Sequence, residues 1–415
     1  MKSNSINTTK TTNVVENNRK RSSRIKIAYI IPRFFPFKGG AEENFFQLSS
    51  RMAKKNYKVT VLTCKVKFRN EKLKSKEKIQ NIQIIRMWQP GEHLYLGFYP
   101  ALLLHLLKHK YDVIHTSGIG FVWREICLLI TKLTTNRKAL IINTPHGPFM
   151  ATTTKSSFIR NTIKIVFTQI LKVYLNIIYD AFIQVNPRQA EWLQKEYKIQ
   201  PNKVILVPNG IPKSYLEKPE NLVSHRENDP VIITFIGRME WYKGIHNVIK
   251  SLYNIKDLNW RFLILGRSGN YTKTLKRLVE EYNLSDKIEF IFSPTDEERD
   301  NILKYYSQVI ILPSLWEATG ISLIEGMAKG NVIITTKQNE SAEMLVKHDI
   351  NGYIYDFYDT AQLTQILKNV IVDNAKRLRM RKYNILYAKN FTWEKIFSVY
   401  ENFIRTSYLN KIKNG

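Results

Sequence analysis

The stretch QVIILPSLWEATGISLIEGMAKGNVIITT, residues 308–336, contains the pattern that decides the fold. Two short and almost wholly apolar runs, 308–312 and 332–336, enclose a polar loop and a segment whose apolar residues recur at helical spacing. Buried strands that alternate with helices are typical of a parallel sheet covered by helices on both faces. The stretch therefore predicts a strand, helix, strand unit of an α/β domain.

The same alternation extends to both sides of this stretch and covers nearly the whole chain. In the C-terminal half, further strands are predicted at 231–236, 261–265 and 288–292. In the N-terminal half, strands are predicted at 25–31, 59–64, 82–88, 112–118 and 139–147. Both halves are thus predicted to be doubly wound, Rossmann-like domains with parallel sheets that face a cleft.

The length of the chain supports a division into two domains. Its 415 residues exceed what one ordinary core accommodates and fit two domains. Prolines and polar residues interrupt periodic structure at 213–230, which is the predicted linker. The predicted divisions are a disordered basic arm at 1–24, an N-terminal domain at 25–212, this linker, a C-terminal domain at 231–383, and a closing helix at 384–415 that crosses back to the first domain.

The composition is that of a globular and strongly basic protein. Apolar residues make up 44% of the chain, and 64 lysines and arginines against 35 acidic residues give a net charge of +29. An excess of this size predicts attraction to a polyanion, such as lipid headgroups, nucleic acid or a phosphorylated substrate. A lysine- and asparagine-rich proteome is the alternative explanation for part of the excess.

The expected location of the protein follows from its apolar runs and its cysteines. No run approaches the ~20 apolar residues that span a bilayer, and polar residues stand where a signal peptide has its apolar segment. Cys64 and Cys127 are far apart and offer neither a disulfide framework nor a metal-binding spacing. We therefore expect a protein of the reducing cytoplasm, either free or in peripheral contact with the cytoplasmic face of a membrane.

Candidate site residues lie in the loops after the strands, because ligands of open α/β sheets bind beyond the carboxyl ends of the strands. Gly237, Arg238 and Lys243 follow the strand at 231–236, where two cations and backbone N–H groups can bind a diphosphate. Gly266 follows the next strand and permits close approach of the backbone to a ligand. The alternatives are that Arg238 and Lys243 are exposed charges on a turn and that Gly266 belongs to an ordinary tight turn.

The most specific signal lies within the stretch quoted first. Glu317 is in the loop after a strand, Gly320 ends that loop, and Glu325 is on the second turn of the next helix. The free N–H groups of Gly320, Ile321 and Ser322 form an anion site at a helix start. Carboxylates on either side of such a site can accept hydrogen bonds from diol groups. The alternative makes Glu317 a helix-end stabiliser and Glu325 a solvated residue.

The N-terminal half contributes two further candidates. Gly40 lies in the glycine-containing loop after the first strand, and its backbone can contact a ligand across the cleft. His146 follows the strand residues 139–144 of the run 139–147 and can form a hydrogen bond with a substrate hydroxyl. A structural role is the alternative for this single loop histidine.

Taken in order, the motifs GGAEE, TPHG, VPNGI, GRMEWYKG, ILGRSG and PSLWEATGISLIEGMAKG resemble those of glycosyltransferase family 4, which has the GT-B fold. The resemblance runs from about residue 25 to residue 403, and the ordered combination is far more specific than any single motif. It implies a nucleotide sugar bound by the C-terminal domain and an acceptor site mainly in the N-terminal domain. It also implies transfer of a hexose-type sugar with retention of the anomeric configuration.

The resemblance assigns roles to individual side chains. Arg238 and Lys243 are similar to the pair that neutralises the donor diphosphate, and Glu325 is similar to the carboxylate that binds the ribose. Glu317 is similar to the glutamate that faces the transferred sugar. His146 is similar to the histidine that contacts this sugar near the reacting carbon.

Backbone contacts and the absence of a metal are implied as well. Gly40 would approach the diphosphate from the N-terminal side, and Gly320 to Ser322 would supply amides around the sugar and phosphate. The chain has no Asp-x-Asp motif, so we expect no metal and no cofactor besides the nucleotide sugar as co-substrate. Cations and a helix dipole would then meet the charge of the leaving diphosphate. The departures from the family pattern at Ala318 and Thr319 are expected to alter the shape of the sugar pocket.

Two basic segments predict that the acceptor is membrane-borne. Residues 65–78, predicted to be a loop, carry seven basic and two acidic residues. A later predicted helix has one basic edge and one apolar face. These are formed by Arg160, Lys164 and Lys172 and by Ile163, Phe167 and Leu171. We expect binding to an anionic membrane surface and transfer to a lipid-linked glycan or lipid phosphate; packing on the core with a solvated basic edge is the alternative.

Other classes of function remain open at this point. A nucleic-acid-binding protein would explain the charge, but no RNA or DNA module is recognised and the basic residues are not interleaved with aromatic ones, so no nucleic acid is predicted. A GT-B-like epimerase or a sugar-binding protein would share the fold. The identity of the sugar, the nucleotide and the acceptor is left open, as is the oligomeric state.

Overall fold

The computed structural model describes residues 25–67, 71–90, 99–147, 158–222, 226 and 228–414, with the side chains of this part except those at 158–167 and 414. The predicted basic arm at 1–24 lies outside the described residues. Two sheets organise the described part, one of eight strands and one of six.

The sheet of the first domain has eight strands. They are β1 (Lys26–Ile30), β2 (Lys58–Cys64), β3 (Lys76–Ile79), β4 (Ile82–Met87), β5 (Val113–Ser117), β6 (Leu140–Thr144), β7 (Ala181–Gln184) and β8 (Val204–Leu206). Their order is β3-β4-β2-β1-β5-β6-β7-β8, and all neighbouring pairs are parallel except β3 with β4. The central strands β5 and β6 are buried along their whole length, as expected of a sheet covered on both faces.

The strands of the first domain are connected by five described helices. They are α1 (Gly40–Lys54), α2 (Ala101–Lys108), α3 (Val122–Leu133), α4 (Phe158–Ile178) and α5 (Gln189–Tyr197). Helix α1 packs on the sheet through Phe45, Leu48 and Met52, whose helical spacing places them on one face. Although α4 has 21 residues, none of the described helices combines the length and the apolar character that a bilayer span requires.

The edge strand β3 shows that the prediction of a loop over 65–78 is wrong at its C-terminal end. Residues 76–79 pair with β4 through a two-residue turn in which Gln80 and Asn81 have φ of 47° and 66°. Positive φ at both turn positions matches the twist of an antiparallel hairpin. An ion pair of 2.5 Å between the buried Arg86 and Glu77 also fixes this edge strand.

The second domain has a six-stranded parallel sheet in the order β11-β10-β9-β12-β13-β14. Its strands are β9 (Val231–Ile236), β10 (Trp260–Gly266), β11 (Ile288–Phe292), β12 (Val309–Leu312), β13 (Val332–Thr336) and β14 (Gly352–Tyr355). Its helices are α6 (Ile245–Tyr253), α7 (Thr272–Glu281), α8 (Asp296–Asn301), α9 (Ile321–Ala328), α10 (Ala342–Leu345), α11 (Thr360–Val372) and α12 (Asn374–Ala388). The predicted fold class of two doubly wound parallel-sheet domains is confirmed.

The chain passes between the domains at two places that lie side by side. The Ile211 amide donates to the Phe391 carbonyl over 2.8 Å, and the Trp393 amide donates to the Ile211 carbonyl over 3.0 Å. A Cβ atom on Gly210 would lie 3.0 Å from the Trp393 ring and 3.1 Å from the Phe391 carbonyl oxygen. Glycine is therefore needed at this position for the close approach of the two chain segments.

The closing segment predicted as one helix from residue 384 is divided in the structure. Helix α12 ends at Ala388, a short 3₁₀ turn (Lys389–Phe391) follows, and α13 (Trp393–Asn414) packs on the first domain. The division occurs where the chain pairs with Ile211, because the backbone there bonds to another segment instead of continuing a helix.

Helix α13 completes the core of the first domain through a chain of buried polar contacts. The Tyr400 hydroxyl lies 2.9 Å from both the Tyr29 hydroxyl and His115 Nδ1, and His115 Nε2 lies 2.8 Å from Thr144 Oγ1. Burial lowers the pKa of His115 to about 3, so its ring is neutral at physiological pH. Both ring nitrogens are paired, and a fully paired buried network favours a single arrangement of the elements that contribute to it.

The variant Tyr400→Phe keeps the aromatic ring and removes the hydroxyl that contacts Tyr29 and His115. We expect the free energy of unfolding to fall by ~1 to 3 kcal/mol, because buried hydrogen-bonding groups lose their partner. Urea unfolding followed by circular dichroism measures this change. Tyr358→Phe, at a side chain that is 72% exposed, is the control and should change stability by less than ~0.5 kcal/mol. Equal stability of Tyr400→Phe and the wild type would contradict the proposed role of the network.

Candidate active site

Two helix starts face each other across the cleft between the domains. Helix α1 begins at Gly40 and α9 begins after Gly320, whose φ of 62° suits glycine. A Cβ atom on Gly40 would lie 3.8 Å from Ile321 Cδ1, so the Ile321 side chain reaches the start of α1. The positive ends of two helix dipoles thus lie near each other, which is an arrangement that attracts an anion.

A lysine and a glutamate from two different loops pair beside these helix starts. Lys243 Nζ forms an ion pair with Glu317 Oε1, and the Ser314 hydroxyl donates to the same oxygen over 3.1 Å. The two loops are held together because the Leu315 amide donates to the Tyr242 carbonyl over 2.7 Å. The structure therefore joins the predicted diphosphate cation and the predicted sugar-facing carboxylate in one largely buried pair.

Gly244 permits this approach of the two loops. Its φ is 70°, and a Cβ atom there would lie 2.0 Å from the Pro313 carbonyl oxygen. Gly266 plays the same part for the neighbouring loops, since its φ is 147° and a Cβ atom would lie 1.8 Å from the Gly237 carbonyl oxygen. The position that a side chain would occupy at Gly266 is therefore filled by another loop, and it is not open to a ligand.

Arg238 lies at the rim of the cleft. Its side chain donates to the Tyr242 hydroxyl over 2.8 Å and is exposed to solvent. Tyr242 directly precedes Lys243, so the two predicted diphosphate cations come from the same turn. They differ in setting, because Lys243 is nearly buried whereas Arg238 is exposed.

Glu325 is on the second turn of α9 and only 14% of its side chain is exposed. Burial raises the pKa of this carboxyl, and the nearby carboxylates of Asp296, Asp300 and Glu43 raise it further. Arg299 opposes these effects, and its Nη2 lies 3.3 Å from Glu325 Oε1. Glu325 is therefore not the solvated helix residue of the alternative interpretation. Arg299 was not identified from the sequence.

His146 lies in the first domain, opposite the loop that carries Glu317. Its φ is 58°, and the next residue, Gly147, is so close to Trp316 that a Cβ atom would lie 3.1 Å from the indole ring. Burial lowers the pKa of His146 to about 4, so its imidazole is neutral at physiological pH. Within the described part of the chain, no group pairs with its buried Nε2. An unpaired, neutral ring nitrogen can donate to or accept from a ligand hydroxyl.

Hydrogen bonds between the domains surround the Glu317 loop. Asn186 Nδ2 donates to the Ala318 carbonyl over 2.6 Å and to Glu340 Oε2 over 3.0 Å. Asn209 Nδ2 donates to Thr319 Oγ1 over 2.9 Å. Asn209 lies in the motif VPNGI, which was recognised in the sequence, whereas Asn186 was not identified from the sequence. Its position directly after a strand, in the run QVNP, is the signal that would have identified it.

Two doubly wound domains that meet at such a cleft form the GT-B fold of glycosyltransferases, and this chain has that fold. Its structure is similar to that of sucrose-phosphate synthase from Thermosynechococcus elongatus, with a TM-score of 0.76 and 20% sequence identity. The similarity covers 93% of this chain and 100% of that chain.

The family follows from two matches to family models. Glycosyltransferase Family 4 matches residues 38–215, and Glycosyl transferases group 1 matches residues 217–386. The chain belongs to glycosyltransferase family 4, as the motifs predicted.

The relatives include enzymes named for lipid acceptors. The phosphatidylinositol N-acetylglucosaminyltransferase gpi3 subunit of Schizosaccharomyces pombe is 25% identical over 76% of this chain. The UDP-Gal:alpha-D-GlcNAc-diphosphoundecaprenol alpha-1,3-galactosyltransferase of Escherichia coli is 26% identical over 65% of this chain. The chain spans 66% of the length of the yeast protein, just under two thirds, and 68% of the bacterial one.

The variant His146→Asn tests the neutral state of this histidine, since asparagine tolerates the left-handed backbone conformation. The folded protein resists protonation of His146 until about pH 4, whereas the unfolded chain takes up this proton near pH 6.5. The unfolded state binds more protons in this window, so stability falls as the pH is lowered through it. The variant should make the slope of unfolding free energy against pH shallower by up to ~1.4 kcal/mol per pH unit. Urea unfolding at pH 4.5 to 7 measures the slope, and an unchanged slope would show that His146 is accessible to protons.

Proposed function

We propose that this protein transfers a hexose-type sugar from a nucleoside-diphosphate sugar to a hydroxyl or phosphate of a membrane lipid or lipid-linked glycan. The observation that carries the proposal is the approach of the α1 and α9 helix starts across the cleft, where the Ile321 side chain reaches to within 3.8 Å of a Cβ atom built on Gly40. A diphosphate bound there would receive amide donors from both domains. The donor would then hold the two domains together during the reaction.

The charged side chains beside the helix starts suit the remaining parts of a donor. Arg238 and Lys243 would neutralise the diphosphate, and the Glu325 carboxylate would accept hydrogen bonds from the ribose hydroxyls. When Lys243 turns to the diphosphate, Glu317 would be released from its ion pair to face the hydroxyls of the transferred sugar. Amides at Gly320 to Ser322 and the backbone of Gly40 would complete the site.

The reaction proposed for this site retains the anomeric configuration. The bond between the anomeric carbon and the phosphate oxygen breaks, and the acceptor oxygen bonds to this carbon on the same face. The proton of the acceptor passes to the leaving phosphate, while neutral His146 donates to or accepts from a sugar hydroxyl. Cations and helix dipoles would meet the developing charge without a metal ion. A trapped covalent glycosyl-enzyme adduct would contradict this step.

A face of the first domain supports the membrane part of the proposal. We call it the aliphatic face, and it consists of exposed side chains on α2, α3 and α4. They are Leu104, Leu107, Ile126, Leu133, Ile170, Val173 and Ile177. Helix α3 lies against both neighbours, since Lys132 donates to the Ile177 carbonyl and Thr135, just after α3, donates to the Leu107 carbonyl.

The charges around the aliphatic face suit an anionic lipid surface. Exposed basic residues lie at the C-terminal end of α2 or follow α2 and α3, namely Lys108, Lys110, Arg137 and Lys138. The only acidic residue in the sequences of α2, α3 and α4 is Glu125, which is buried against Arg124. Leu171 of the predicted apolar face is buried in the core, which is the alternative that the sequence left open for this residue. Ile163, Phe167, Arg160 and Lys164 lie outside the described side chains. We expect this face to rest on the cytoplasmic surface of the membrane.

A panel of UDP, GDP and ADP sugars in the presence of EDTA tests the donor site. At 100 times its dissociation constant, the correct donor should stabilise the folded protein by ~2.7 kcal/mol, which thermal unfolding detects. Glu325→Ala should weaken this binding about tenfold, because a charge-assisted contact to the ribose is lost. Glu281→Gln, at an exposed residue of α7, is the control and should bind as the wild type does. Binding of RNA or anionic lipid without binding of any donor would contradict the proposal.

Flotation with vesicles of phosphatidylglycerol and phosphatidylcholine tests the membrane contact. The double variant Ile170→Glu with Val173→Glu places two carboxylates on the aliphatic face and should reduce vesicle binding at least ~tenfold at low salt. The matched control is Val372→Glu, which changes an equally exposed valine of the second domain. Equal flotation of the double variant and the wild type would exclude this face as the membrane contact.

A further inference from the structure

Four alternating charges run from the glycine loop of the first domain to the carboxylate of Glu325. Lys38 Nζ lies 2.6 Å from Asp296 Oδ2, and Arg299 Nη2 lies 3.6 Å from Asp296 Oδ1. The same Nη2 atom lies 3.3 Å from Glu325 Oε1. Arg299 therefore stands between a carboxylate that contacts the first domain and the carboxylate proposed to bind the donor.

The start of helix α8 fixes the position of Arg299. Thr295 Oγ1 accepts from the Glu298 amide over 3.1 Å, and Glu298 Oε2 accepts from the Thr295 amide over 2.7 Å. This reciprocal pair is a capping box, which sets where the helix begins. Because Asp296 and Arg299 are three residues apart on this helix, their side chains lie on the same face.

Burial and the neighbouring carboxylates raise the pKa of Glu325, and Arg299 is the group that lowers it. Glu325 is largely buried and has three other carboxylates nearby, those of Asp296, Asp300 and Glu43. A neutral carboxyl has a proton on one oxygen, whereas an ionised one can accept a hydrogen bond from each of two neighbouring hydroxyls. Arg299 is the cation in contact with this carboxylate, and hydrogen bonding with Tyr215 further restrains it.

The two ends of this series of charges differ in what they contribute. The side chains of Lys38 and Asp296 are 69% and 58% exposed, so solvent screens their attraction. The side chains of Arg299 and Glu325 are 25% and 14% exposed, so their attraction is stronger. The inner pair of Arg299 and Glu325 is therefore suited to fix a carboxylate, while the outer pair links Asp296 to the glycine loop of the first domain.

We propose that Arg299 is a positioning residue for the donor ribose, and that it holds Glu325 ionised and in place for the vicinal diol of a ribonucleoside diphosphate. The inference rests on the donor-binding role proposed for Glu325. Arg299 itself acts through Glu325 and touches neither the diphosphate nor the sugar in this assignment. Its effect should therefore depend on the presence of the ribose diol.

The test compares ribonucleotides with the same nucleotides lacking the diol, using the full chain. Calorimetry gives the dissociation constants of UDP, GDP and ADP and of their 2′,3′-dideoxy counterparts for the wild type, Arg299→Gln and Arg299→Lys. For the ribonucleotide that binds most tightly, Arg299→Gln should weaken binding about tenfold, and for its dideoxy counterpart less than about twofold. Arg299→Lys keeps the charge and should lie between the wild type and Arg299→Gln. The control, Arg277→Gln, changes an exposed arginine of α7 and should leave all constants as they are.

The possible outcomes separate this inference from the proposed function. Equal weakening of the ribonucleotide and dideoxy forms would assign Arg299 to the phosphates or to folding, and would overturn the inference while the donor site stands. No weakening in either variant would overturn it as well. The inference also requires that the wild type bind the dideoxy nucleotide more weakly than the ribonucleotide. Equal binding of the two by the wild type would overturn it. If no nucleoside diphosphate binds to the wild type, the donor-binding role of Glu325 and the role of Arg299 both fail.

Discussion

The paired passage of the chain between its domains is the constraint on which the rest of the structure depends. Two backbone hydrogen bonds join Ile211 to Phe391 and Trp393, and Gly210 provides the space for them. Because these backbone bonds hold the two crossing segments together, we expect the domains to rotate about this point and not to slide past each other. The loops at the carboxyl ends of both sheets lie around the cleft that such a rotation opens and closes.

Charges in the cleft are paired with one another before any ligand arrives. Lys243 holds Glu317, and Arg299 holds Glu325, so each carboxylate proposed to contact the donor already has a cation. Pairing avoids the cost of a buried unpaired charge. In the proposed donor complex, the diphosphate would replace Glu317 as the partner of Lys243, whereas Arg299 would keep Glu325. The first pair would thus be broken by the diphosphate, and the second would support the ribose contact.

The sequence predicted the strands that are buried on both faces, and β9 was predicted to the residue at 231–236. It did not predict β3, β7, β8 or β14, because three or four residues at a sheet edge, or mixed with polar positions, give little periodic signal. Site residues in the loops after strands were found by their motifs. Arg299 was missed because its importance comes from contacts across the fold, which neither its spacing nor its type indicates in the chain. Asn186 was missed because it follows β7, a strand that the sequence did not predict.

The division of the closing segment has a consequence for how the protein is made. Helix α13 supplies Tyr400 to the interior of the first domain, yet it follows the whole second domain in the chain. During synthesis the first domain leaves the ribosome early, with His115 and Tyr29 still lacking this partner. Its core is closed only after the second domain has been translated and the chain has returned past Ile211. The domain that is translated first is therefore the one that is completed last.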